Sequence, residues 1–139
     1  MTTNRTLANK HLKHYAFVPA IIWSAVLAFL MLLPADKIPQ SQLLTLDKIN
    51  HLIAYGLLSF LIALGYSIKP SIKKKRNALL RDVSLAMAYG TLLELLQYFV
   101  PGRALDLFDL LANLTGCLLG ILIFNIFQKN KFVRSKLID

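Results

Sequence analysis

Long apolar runs separated by short polar clusters organise this sequence. Four of them, at 16–33, 52–68, 83–100 and 107–127, each approach the roughly 20 residues that cross a hydrocarbon core about 30 Å thick. The runs are continuous over 17 residues or more and lack the period-two alternation of barrel strands, so each is predicted to be a helix. Pro34, Pro39, Pro70 and Pro101 fall at the edges, where a missing amide hydrogen does least harm. Arg5, Lys10 and Lys13 precede the first run as in a signal peptide, but an apolar run of 18 residues is too long for such a segment. The pattern therefore predicts an all-α fold: one domain over 1–139, an integral membrane bundle of four transmembrane helices.

Composition strengthens that picture. Of the 139 residues 56% are hydrophobic and 17% charged, more apolar surface than most soluble domains of this size can bury. The lone cysteine, Cys117, excludes an intrachain disulfide framework and any cysteine-built metal cluster. A net charge of +9 suggests nucleic acid or a membrane surface, and placement decides between them. Thirteen of the 16 Lys and Arg flank one side of the four spans, including the run Lys73, Lys74, Lys75, Arg76. Lys37, Lys48 and Arg103 are on the other. This bias predicts a multi-pass protein of the cell membrane with both termini cytoplasmic, and it assigns the basic residues to lipid headgroups rather than to nucleic acid.

Depth and helical phase then locate the candidate chemistry. At ~1.5 Å per residue, His51 lies about 6 Å below Asp47 and Glu94 about 9 Å below Val100. Asp106 and Asp109 fall near the outer surface, with Asn113 one turn deeper. Asp47, Lys48, His51 and Tyr55 share an arc of roughly 100° of the second helix. Glu94 and Gln97 share a face of the third. Asp109, Asn113, Gly116 and Gly120 form a narrow stripe on the fourth. Polar groups facing lipid are costly, so these faces are predicted to turn inward and form one cluster that opens outward.

Each group also has a plainer reading. Glu94 could be paired with Lys48, His51 or Arg103, and Arg103, following Pro101 and Gly102, could pair with Asp106 or Asp109 instead of forking onto a phosphate or carboxylate. Asp106 and Asp109 complement the positive end of a helix. With Glu94 they could hold a divalent cation, but no established metal spacing is present, and neither metal nor cofactor is expected. Gly116 and Gly120 form a GxxxG pair, read first as packing inside the bundle and second as a homodimer face. Tyr15, Tyr66 and Tyr98 read as interfacial aromatics, Trp23 as packing and Cys117 as a small buried residue. No Gly-rich phosphate loop, nucleophile elbow or zinc-protease motif occurs.

The whole arrangement resembles the VanZ-like family of small membrane proteins. The matching residues are Asp47, Lys48, His51 and Tyr55; Tyr89, Gly90, Glu94 and Gln97; and Pro101, Gly102, Arg103, Asp106, Asp109, Asn113, Gly116 and Gly120. Together they cover the middle half of the chain, and it is their combination that is specific. The resemblance implies a bacterial cytoplasmic-membrane protein. The family's namesake is linked to low-level resistance to teicoplanin, a glycopeptide acting on lipid-linked cell-wall precursors. A phosphotransbutyrylase label carried by some relatives finds no acyl-phosphate or coenzyme A site among these residues.

Residues and resemblance together lead to one expectation with two alternatives. The leading one is recognition of an anionic lipid headgroup or lipid-linked envelope precursor, with an effect on glycopeptide susceptibility. Its ligand-binding residues would be Asp47, Lys48, His51, Tyr55, Glu94, Gln97, Arg103, Asp109 and Asn113. Lys48 and Arg103 would bind the anion. The first alternative is an enzyme acting on a lipid phosphate, with His51 or Glu94 as general base and Asp106 or Asp109 positioning the group. The second is a purely structural membrane protein.

Overall fold

A computed structural model describes residues 15–34, 43–68 and 77–129. In it the apolar runs fold as α1 (Val18–Met31), α2 (Leu43–Ile68), α3 (Ala78–Gln97) and α4 (Leu107–Lys129), with no strand among the described residues. The basic run Lys73 to Arg76, Lys37 and both termini lie outside the described residues.

The helix limits differ instructively from the apolar runs. α1 is shorter than 16–33 because turns occupy both of its ends, before Val18 and after Met31. α2 begins at Leu43 rather than at 52: Asp47, Lys48 and His51 are part of the helix, Lys48 and His51 reaching partners across the bundle and Asp47 facing His51 one turn on. α3 begins at Ala78 and stops at Gln97, where Tyr98 and Phe99 turn the chain ahead of Pro101. α4 runs on to Lys129, two residues past the apolar run.

The helices alternate in direction, and α2 packs on all three others, most extensively on α4. Gly116 and Gly120 explain that contact. A Cβ on Gly116 would collide with the Leu52 carbonyl, and one on Gly120 with the Gly56 carbonyl. The two backbones therefore meet directly, so the GxxxG pair is used within the chain, and α2 covers the face that the dimer alternative would have required. Ser59 sits in the same seam and donates to the Gly56 and Cys117 carbonyls. The core beside it is built from Leu27, Tyr55, Leu58, Ala86, Leu93 and Cys117, and a second cluster of Ala63, Ile121 and Phe124 lies further along α2 and α4. Trp23 packs on the main core and donates from its indole N–H to the Ala54 carbonyl at 2.9 Å. Cys117 is a free, buried thiol.

Outside these cores the surface is apolar. Ile21, Phe29, Ile53, Leu92, Leu111, Leu122 and Ile126 are among the large side chains that point away from the bundle. α2 from Asp47 to Ile68 and α4 are long and apolar enough to cross a membrane. The 14 residues of α1 make a shorter apolar helix, while the 20 of α3 include Arg81, Asp82 and Glu94.

Candidate functional site

The alternation of the helices brings the end of α1, the start of α2, the end of α3 and the start of α4 to one end of the bundle. The connection from α3 to α4 is a turn from Val100 to Arg103, closed by the Arg103 N–H on the Val100 carbonyl at 3.1 Å. Pro101 presets its second position, and Gly102 supplies the positive φ of 75° that the third requires. That turn carries Arg103 back over α1, where its Nε donates to the Leu33 carbonyl at 3.3 Å. The terminal nitrogens of Arg103 make no hydrogen bond among the described residues. Asp106 caps α4, its Oδ1 accepting the Phe108 N–H at 2.8 Å.

Lys48 reaches across from α2 and bridges two carboxylates, Asp106 Oδ2 at 2.8 Å and Asp109 Oδ1 at 2.9 Å. The Lys48 ammonium and the Phe108 N–H together hold the Asp106 carboxyl below its usual range. The pairing that the plainer reading offers Arg103 is thus made by Lys48, expected instead to bind an anion.

His51 is the centre of the deeper layer and is only 1% exposed. Its Nδ1 lies 3.0 Å from Asn113 Oδ1 and 3.4 Å from Glu94 Oε1, and its Nε2 faces Asp47 Oδ1 at 3.9 Å. Tyr55 stacks beside it, ring centroids 6.2 Å apart. One side chain from each of three helices therefore meets at this ring, as helical phase and depth predict. Glu94 is 1% exposed, and neither of its oxygens has a hydrogen-bond partner. The Tyr55 hydroxyl and Asn113 Nδ2 are likewise buried without one. Gly90, one turn before Glu94, makes their convergence possible: a Cβ there would press on the Tyr55 ring at 2.7 Å and lie 3.3 Å from Asn113 Nδ2. Donors and acceptors left uncommitted in one buried place suit a polar ligand group or an ordered water.

Gln97 is buried too, but its amide is spent. Nε2 donates to the Met31 carbonyl at 2.9 Å, satisfying a backbone group that the end of α1 leaves open.

Polar structure at the opposite end escaped the sequence pattern. Arg81 lies over the Tyr66 ring, 3.4 Å from its centroid, and pairs with buried Asp82 at 2.7 Å. Phe17 meets Tyr66 edge-on. Tyr66 is therefore a platform for a cation rather than a plain interfacial ring. A third span starting at Val83 leaves both charges outside it, and their adjacency to Tyr66 in the folded bundle has no signal in spacing. Tyr89 donates from its hydroxyl to the Ser24 carbonyl and so ties α3 to α1, a bond that spacing does not signal either.

A helical bundle with an apolar exterior and a buried polar end is the kind of protein that this fold and site define. The chain belongs to the VanZ/LLP1 family, whose model matches residues 3–128 and so takes in all the candidate site residues. It is similar to the uncharacterized protein C11E3.10 of Schizosaccharomyces pombe, with 29% identity over 121 residues, covering 87% of this chain and 67% of the relative. That relative is a yeast protein, so family membership does not by itself carry the expected bacterial membrane. No solved structure matches the chain.

Proposed function

We propose that this is a four-span membrane protein, its basic side cytoplasmic, whose polar end binds the anionic headgroup of a lipid or of a lipid-linked envelope precursor from the outer face. The apolar exterior supports the membrane reading: half of the most apolar window of α2 and two thirds of that of α4 lie outside the bundle core, where a soluble protein would expose them to water. In a four-span arrangement α1 would lie in a locally thinned bilayer or be extended by its flanking turns.

The observation that carries the ligand reading is Glu94, a fully buried carboxylate with no hydrogen bond to either oxygen, held beside His51. A carboxylate in that position costs at least ~2.5 kcal/mol unless something completes it. With Lys48 committed to two aspartates, Arg103 is, among the described residues, the cation at this end with hydrogen-bonding capacity to spare, and its planar fork suits a phosphate. In this reading Arg103 takes the anion, and Glu94, His51 and Tyr55 meet the headgroup's hydroxyl or amine groups.

Native mass spectrometry of the protein released from mild detergent tests this. One lipid class is expected to co-purify with the unmodified chain and to be lost from Glu94→Gln and Arg103→Lys while membrane abundance and melting temperature hold. Loss of lipid in step with loss of protein would instead support the purely structural reading. Turnover of a lipid phosphate by the purified protein would favour the enzymatic one, for which the His51–Glu94 pair supplies a general base. Teicoplanin susceptibility of a host expressing these variants is the cellular counterpart.

A further inference from the structure

Asp47 and His51 on α2 and Asp109 on α4 each offer a ligand atom, and these atoms lie within 4.8 Å of one another. The two nitrogens of His51 keep different company. Nδ1 has two oxygens beside it, Asn113 Oδ1 at 3.0 Å and Glu94 Oε1 at 3.4 Å, so the N–H belongs on that side. With a single proton, on Nδ1, the ring turns the lone pair of Nε2 toward Asp47, an acceptor facing an acceptor at 3.9 Å. Such a pair lacks a positive charge between its members. Behind the ring stands Glu94, buried and without a hydrogen bond to either oxygen. A carboxylate or carbonyl oxygen on the far nitrogen is how proteins fix the tautomer of a metal-binding histidine and raise its basicity.

From this geometry we infer that Asp47, His51 Nε2 and Asp109 bind one divalent transition-metal ion, with Glu94 and Asn113 positioning the imidazole. The inference rests on reading this end of the bundle as a ligand site. One imidazole and two carboxylates leave a coordination position open, as in catalytic rather than structural zinc sites, and an incoming phosphate oxygen would fill it. Mixed nitrogen and oxygen ligands favour Zn2+ over Mn2+ and both over Mg2+. Ligand atoms around a tetrahedral zinc ion are ~3.4 Å apart, and these three lie within 4.8 Å of one another, so the side chains must draw together when the ion binds. Lys48, 2.9 Å from Asp109 Oδ1, competes with the ion for that carboxylate.

The test is Zn2+ titration of the full-length chain, stripped with chelator and held in mild detergent, followed by calorimetry and elemental analysis. One ion per chain is expected. Asp47→Asn should weaken binding tenfold or more, and Glu94→Gln about tenfold, the effect typical of a group that only orients a ligand. Lys48→Met should tighten it, a direction that no unfolded variant can mimic. His11→Ala combined with His14→Ala should leave it unchanged, since those are the other histidines of the sequence. Cobalt substitution of the unmodified chain gives a readout that needs no variant: d–d bands of a nitrogen–oxygen site without thiolate charge transfer. Absence of binding at millimolar Zn2+, binding lost with His11 and His14, or binding indifferent to both Asp47→Asn and Lys48→Met would overturn the site. Retained lipid with no metal would leave the headgroup reading standing while this one falls.

Discussion

Gln97 shows how a polar residue can belong to a site by position and to the scaffold by its bonds. Its depth and phase place it with Glu94, yet its amide closes the open end of α1 on the Met31 carbonyl. Gln97→Leu is expected to destabilise the protein by about 1 kcal/mol, because it leaves a buried carbonyl without its donor. Thermal melting in detergent measures this, and lipid retention should be unaffected. His51, Glu94 and Asn113 were legible in the sequence because helical rise and phase alone bring them to one depth and inward faces. The commitment of Lys48 was not. Helical phase sets Lys48 on the same arc as His51, but the choice of Asp106 and Asp109 over Glu94 as its partners depends on how α2 and α4 pack. Arg103 escaped for another reason, since its partner is the main-chain carbonyl of Leu33, just past α1, and carbonyls leave no mark in side-chain pattern.

At the scale of elements, the seam between α2 and α4 is the most demanding contact in the bundle. A methyl group on Gly120 would meet a carbonyl and the Ser59 hydroxyl, and the carbonyl belongs to backbone that cannot rotate aside. Gly120→Ala is expected to cost ~1–3 kcal/mol by forcing the helices apart. Because His51 is on one helix of this pair and Asn113 on the other, the same variant should also loosen the site, so its melting temperature and its lipid retention should fall together. This coupling separates Gly120→Ala from Gln97→Leu. Spacing alone identified Gly116 and Gly120 as a close-approach pair, while their partner helix required the fold.

For the whole molecule, the prediction concerns which end faces which side of the membrane. Ala104, in the connection beside the polar cluster, and Asn77, just before α3, are exposed at opposite ends of the bundle. In a Cys117→Ser background, an impermeant thiol reagent applied to intact cells should label Ala104→Cys and spare Asn77→Cys. Labelling of Asn77→Cys alone would turn the polar end toward the cytoplasm.

α4 and its cap follow the other three described helices in the chain, yet they hold the answering half of the Lys48 bridge, of the His51–Asn113 contact and of the glycine seam. Asp106 and Asp109 receive Lys48, Asn113 receives His51, and Gly116 and Gly120 receive the backbone of α2. During synthesis, then, α2 waits with Lys48 unanswered until the segment from Asp106 onward is made. The outer layer of the polar end therefore cannot close as α2 appears; it closes only when α4 docks.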